Sequence, residues 1–231
     1  MTSEPPITPD EMRAIEERAG QLGVSRLLLM ENAGKAVADY IAAKMGAAGR
    51  KVVVVAGTGN NGGDGFVAAR HLAAYGALVK VFLVGSDGEI RTQEASVNWR
   101  ILTGMKRSIE LIQLPDDSFM DKLRQALSVA DVLVDAIFGT GIKGELKDPH
   151  ASVIEAINRS QAFKLAVDVP SGLDPLTGEV CGRAVEADAT VTFHRVKKGL
   201  LARRDLVGEL VVANIGIPPE AEGPEWASKL T

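Results

Sequence analysis

The sequence predicts an α/β protein: a three-layer αβα, Rossmann-like arrangement with a mostly parallel central sheet behind an N-terminal helical preface. Three observations predict it. Short, unbroken, β-branched runs such as residues 51–56 recur along the chain, as in strands buried on both faces. Helical stretches separate these runs, which is the alternation of βαβ units. Glycine-rich or acid-bearing loops follow several of the runs, where open α/β sheets bind ligands.

The elements follow in order. Thr8, Pro9 and Glu11 read as a capping box with proline at the first helical position. Met12, Ile15 and Ala19 then share one helix face until Gly20 and Gly23 interrupt it. A second helix spans about 25–44, with Leu29, Ala33, Val37 and Ile41 at helical spacing. Strand 51–56 leads through a glycine loop to a helix over 63–75. Strand 79–84, helix 89–104, strand 109–112, helix 115–128 and strand 132–135 come next. A helix over 149–160, strand 165–168 and strands over 189–193 and 210–213 complete the pattern. No repeat or linker divides it, so one domain over 1–231 is expected, with an ordered core of about 8–215. The tail from Pro218 reads as loosely held.

Composition bounds the function. A chain of 231 residues with 46% hydrophobic residues and a net charge of −4 buries a core without help from disulfides or metals. The single Cys181 excludes a disulfide framework and a Cys-rich zinc site. The acidic balance argues against a general grip on nucleic acid or acidic lipid. No apolar run approaches a membrane span, and the acidic, proline-rich start lacks the features of a secretory signal. A cytoplasmic protein is expected. Glycine, at 24 residues, exceeds its usual share of about 7%. With few aromatics, that surplus points to close backbone approaches such as phosphate loops.

Three strand ends carry the candidate chemistry. Gly57, Gly59 and Gly62 fit G-x-G-x-x-G between a strand and a helix, the setting in which backbone N–H groups cradle a pyrophosphate. The acid expected at the end of the second strand comes late, at Asp87, which argues against a standard NAD grip. A glycine turn kept only for packing is the alternative, but packing does not call for Asn60, Asn61 and Asp64. The strand closing in Asp135 runs into Gly139, Thr140, Gly141, Ile142, Lys143, Gly144 and Glu145, where Lys143 and loop N–H groups can hold phosphate. The next strand closes in Asp168, followed by Pro170, Ser171, Gly172 and Asp174. Either acid can instead cap a turn. Asn61, Asp135 and Ser171 are oxygen donors without His or Cys. Such a set does not suit zinc and fits K⁺ better than Mg²⁺. His71, His150 and His194 read as packing residues first. Arg195, Lys197, Lys198, Arg203 and Arg204 form a basic cluster, read as a solvated face with a phosphate rim as the alternative.

Leu29-Met30-Glu31-Asn32-Ala33-Gly34, the Gly59–Gly65 segment, Asp135 to Gly141, Asp168 to Asp174, Thr190 to Phe193 and Lys198-Gly199-Leu200 occur in this order. Together they resemble the YjeF N-terminal-domain family, the NAD(P)H-hydrate epimerases, over roughly 8–215. The resemblance implies a Rossmann-like, often dimeric fold and interconversion of the R and S hydrates of NADH and NADPH. It implies that Asn60, Asn61, Gly62, Gly63, Asp64, the loop Gly139 to Glu145 and Asp168 contact the hydrate. Asn61, Asp135 and Ser171 would bind one K⁺ per subunit. A homodimer is expected; 231 residues leave no room for a dehydratase, so that enzyme is expected on a separate chain unless this sequence is a fragment of a bifunctional protein.

C6 of such a hydrate bears both a hydroxyl and the ring nitrogen. Expelling the hydroxyl, or opening the ring, needs an acid at oxygen and a base to restore it. Asp168 is the first choice for that work and Asp64 the second, with Lys143 a stabiliser of negative charge. Two other classes compete. A non-catalytic nucleotide-binding scaffold is disfavoured because Asp64, Asp135 and Asp168 are all present. A nicotinamide-dependent dehydrogenase is disfavoured by the late acid and the want of a substrate domain.

Overall fold

In a computed structural model, which describes residues 5–141 and 144–223, the strands are β1 (Lys51–Ala56), β2 (Leu78–Leu83), β3 (Ile109–Gln113), β4 (Val132–Ala136), β5 (Phe163–Val167), β6 (Ala189–Phe193) and β7 (Glu209–Ala213). The helices are α1 (Pro9–Gln21), α2 (Arg26–Met45), α3 (Asn60–Ala74), α4 (Gln93–Gly104), α5 (Phe119–Leu127), α6 (His150–Arg159) and the single turn α7 (Arg204–Val207). All seven strands form one sheet in the order β3-β2-β1-β4-β5-β6-β7, and every pairing in it is parallel. The expectation of a mostly parallel sheet is met and exceeded.

Alternation along β1 builds the layers. Val52, Val54 and Ala56 join a core with Val37, Ile41, Phe66 and Leu72 of α2 and α3. Val53 and Val55 face the other way, into a core with Phe119 and Leu123 of α5 and Ile154 of α6. A parallel strand covered on both faces needs apolar residues at every position, which is why the run is unbroken. Phe66 is fully buried and packs on Trp99 with ring centroids 5.1 Å apart. Truncating such a ring costs about 3–5 kcal/mol.

The capping box at α1 is present: Glu11 N donates to Thr8 Oγ1 at 3.2 Å and Thr8 N to Glu11 Oε2 at 2.7 Å. Several boundaries differ from expectation. Helix α3 starts at Asn60, so the glycine loop is largely its first turn. The helix expected over 89–104 begins at Gln93, after a separate 3-10 turn at Asp87–Glu89. The helix expected from 115 begins at Phe119, and β5 starts two residues early and stops before Asp168.

The segment from Pro218 is not loosely held over its described part. Pro219–Glu222 forms a 3-10 turn with Ala221 fully buried. Arg18 Nε donates to the Ala221 carbonyl at 2.5 Å. Glu222 accepts from Arg195 at 2.9 Å and pairs with His194 at 2.6 Å. The chain ahead of α1 is held too. Ile7 is buried and forms a parallel bridge with Lys197.

Candidate active site

The strand order doubles back at β1. From there the chain builds outward to β2 and β3 on one side and from β4 to β7 on the other, so the loops after β1 and β4 diverge. A cleft of about 1130 Å³ opens between them at the carboxyl ends of the strands. Asn60, Asn61, Asp64, Gly139, Thr140, Gly141 and Asp168 all line it. Residues expected from three separate strand ends therefore meet in one cavity.

The glycines after β1 divide by purpose. A β-carbon on Gly62 would lie 1.9 Å from the Gly57 carbonyl oxygen, and one on Gly57 would lie 2.2 Å from the Ile137 carbonyl oxygen. Both exist for packing, the bland reading of the motif. Gly62 and Gly63 are accordingly buried in the first turn of α3. Gly59 has open space around it and is the N-cap of α3, and its side-chain-free cap leaves the first N–H groups of the helix unclaimed. N–H groups so placed, with the positive end of the helix dipole behind them, are suited to an anion.

Asp135 and Ser171, also expected in the site, are fully buried and do not line the cleft. Asp135 is fully buried at the end of β4. Its Oδ2 accepts from Ser171 N at 2.8 Å and its Oδ1 from Ser171 Oγ at 2.6 Å. Ser171 Oγ also accepts from Phe138 N at 2.9 Å. Desolvation outweighs these hydrogen bonds and pushes the Asp135 carboxyl up to about 6. Asn61 is buried too, and neither its Oδ1 nor its Nδ2 has a hydrogen-bond partner among the described residues. A β-carbon on Gly139 would come within 3.0 Å of that Oδ1. The orphaned amide oxygen of Asn61, the buried carboxylate of Asp135 and the Ser171 hydroxyl offer only oxygen donors and a single negative charge. That chemistry fits a monovalent hard cation.

Asp168 follows β5 in the left-handed region, at φ 66°. A non-glycine residue held there marks a constrained position. Its Oδ1 accepts from Thr192 Oγ1 at 3.0 Å and Phe193 N at 3.2 Å. Lys197 Nζ lies 2.6 Å from the same oxygen. Asp64 sits in the cleft wall nearby. Desolvation first, then the charges of Asp168 and Glu16, push its carboxyl well above the usual range. Glu16, reaching the cleft from α1, is raised by burial and by Asp168.

Two of these groups lie outside the site expected from the sequence. Lys197 is 1% exposed, not part of a solvated basic face. Nothing in the run Arg195 to Lys198 separates it from its neighbours; only the tertiary bridge to Ile7 does. Glu16 carried a signal, since it falls four residues after Met12 and three before Ala19, a charge on the buried stripe of α1. Other expectations resolve differently. His71 pairs with Glu31 at 2.8 Å, a packing role as expected. His150 lines the cleft against Phe138, ring centroids 4.8 Å apart, and burial lowers its pKa. Gly144 has open space around it, and Glu145 is exposed beside Gly182. Ile142 and Lys143 lie outside the described residues.

The profile of the family described as YjeF-related protein N-terminus matches residues 26–199. The chain belongs to this family. Within the YjeF-related family it is 46% identical to the NAD(P)H-hydrate epimerase of Nitrosopumilus maritimus, over 94% of this chain and 97% of that one. It is 51% identical to the bifunctional NAD(P)H-hydrate repair enzyme Nnr of Pyrobaculum aerophilum, over 94% of this chain but only 42% of that longer protein. The fold is similar to the crystal structure of yeast ynu0, with a TM-score of 0.80 at 25% identity over 94% of this chain and 92% of that one. Among the described residues no helix is long and apolar enough to cross a membrane.

Proposed function

We propose that this chain is an isomerase that interconverts the R and S forms of hydrated NADH and NADPH at C6 of the nicotinamide ring. The observation that carries the reading is a cleft in which an acid and a base, Asp64 and Asp168, stand beside an uncapped helix N-terminus suited to a pyrophosphate. Near full-length similarity to a stand-alone epimerase supports it.

The residues divide the work. The dinucleotide's phosphates rest on the N–H groups at the start of α3, with Asn60 at the rim. Thr140 and Gly141 close the opposite wall. Asp64, whose surroundings favour the neutral acid, donates a proton to the C6 hydroxyl oxygen. The C6–O electron pair leaves with that oxygen as water, and the ring nitrogen lone pair stabilises the cation left at C6. Water returns on the other face of the ring, and Asp168 takes its proton. A proton passing between the two carboxyls restores the start. Two carboxyls in contrasting environments are a recurrent source of such an acid–base pair.

K⁺ belongs to the same proposal. Asn61, Asp135 and Ser171 would hold it, and it would supply positive charge that keeps the Asp135 carboxylate ionised and the two flanking loops in register. A hydrate dehydratase on a separate chain would consume the S form that this chain replenishes, and a homodimer is the expected assembly.

The experiment supplies an S-specific dehydratase with an R/S hydrate mixture and then adds this protein. The R form left over is expected to disappear faster than its spontaneous epimerisation allows. An unchanged rate would refute the reading.

A further inference from the structure

Three carboxyls line the cleft, Glu16, Asp64 and Asp168, and among the described residues the buried Lys197 ammonium touches Asp168 alone of the three. Lys197 Nζ also donates to the Phe193 carbonyl at 2.8 Å. An ammonium is buried this deeply only where partners replace its water. The chain ahead of α1 seals it in: Ile7 N donates to the Val196 carbonyl at 2.8 Å, and Lys198 N to the Ile7 carbonyl at 3.1 Å.

The consequence falls on Asp168. Its Oδ1 is claimed by Lys197, Thr192 and Phe193 N, while its Oδ2 accepts no hydrogen bond among the described residues. One oxygen is anchored and the other is left for the cleft, which Asp168 lines. We propose that Lys197 is a positioning residue that selects Asp168 as the base of the reaction, by pinning Oδ1 and presenting Oδ2 to the substrate. The inference rests on the epimerase reading above and adds to it a residue that never meets the substrate. Among the described residues neither Asp64 nor Glu16 has such a contact.

A positioning residue acts through its partner, so the test is a cycle. Lys197→Met is expected to lower kcat by about 100-fold, the size of a lost general base, with KM changed less than about threefold. Asp168→Asn is expected to lose a similar factor. The double variant removes both members of the pair and leaves no unpaired buried charge, so it keeps the fold even if Lys197→Met does not. Its kcat is expected to match that of Asp168→Asn within about threefold. Lys197→Ala supplied with methylammonium should recover part of its kcat, while Asp168→Asn should not respond. A double variant tenfold or more slower than Asp168→Asn alone, or a Lys197→Met that folds and keeps its kcat, would overturn the inference. A wild-type protein that fails to accelerate epimerisation would instead sink the functional reading, so the two failures are distinguishable.

Discussion

Ser171 Oγ donates to Asp135 Oδ1 at 2.6 Å, and Ser171 N reaches Oδ2 of the same carboxylate at 2.8 Å. The contact ties the loop after β5 to the end of β4, under the floor of the cleft. It is a hydrogen-bonded hinge pin for both walls, since Phe138 N also donates to the Ser171 hydroxyl. Ser171→Ala removes the hydroxyl and leaves a buried carboxylate and a part-buried backbone N–H each one partner short. The expected loss of unfolding free energy is about 1–3 kcal/mol, read from urea denaturation. A variant as stable as the parent would show that the pin carries no load.

The same buried oxygens predict an ion-specific effect. A ligand that binds only the folded chain raises its stability by mass action. K⁺ at 100 mM is expected to raise Tm above that in choline chloride at equal ionic strength. Asn61→Leu removes the orphaned amide of Asn61, so it is expected to be as stable as the parent in choline and to lose the response to K⁺. Equal responses in both proteins would mean that Asn61 is not a ligand.

Two glycines three residues apart should behave oppositely. Gly62→Ala drives a methyl to 1.9 Å from a backbone oxygen that cannot yield, and should destabilise by about 3 kcal/mol or more. Gly59→Ser meets nothing and gains an N-cap hydroxyl, so stability shifts by only a few tenths of a kcal/mol. That hydroxyl would claim a helix N–H otherwise turned to phosphate, and KM for the hydrate should rise about tenfold, the worth of one hydrogen bond. Thermal melts and initial rates on the two variants check both halves.

These positions also show what local sequence could carry. The central strands were legible because a strand buried on both faces must be largely apolar, as β1 is after its exposed Lys51, whereas β3, with Glu110 and Gln113 in five residues, carries a weaker apolar signal. The placement of Asn61, Asp64, Asp135, Asp168 and Ser171 at or just after strand ends was legible because parallel strands deliver their ends to one edge. Lys197 was not, because its burial depends on Ile7, about 190 residues earlier, and no pattern around residues 195–198 encodes that partner. Helix α3 was expected to start late because glycines weigh against helix. At Gly62 and Gly63 tight packing overrides that preference.

Asp64 predicts a pH dependence of stability. In the folded chain its carboxyl is pushed well above the ordinary value near 3.8. The folded state thus holds a proton that the unfolded chain releases as pH rises past that value. The stability tied to this group is full below the unfolded value and is lost as pH rises through the folded one. Asp64→Asn keeps the shape and never ionises. Its Tm should equal that of the parent near pH 3.5 and exceed it at pH 8, while epimerase activity is lost at both. A Tm difference independent of pH would contradict the assignment.

Glu222 closes the structure from the other end. Its side chain is 5% exposed and meets both His194 and Arg195, the two residues that follow β6 and lead to Lys197. His194 itself sits at φ 66°, a backbone region that needs support. Removing the carboxylate leaves an arginine in a buried setting without this partner. Glu222→Ala should therefore cost about 3 kcal/mol of stability. Because the same strap positions Phe193 and Lys197 around Asp168, kcat should fall with it, although Glu222 lies outside the cleft wall. Glu222→Gln keeps hydrogen-bonding capacity and should recover part of both. Unfolding curves alongside coupled-assay rates measure the two effects together. A variant that loses stability but keeps kcat in the surviving folded fraction would separate the strap from the chemistry.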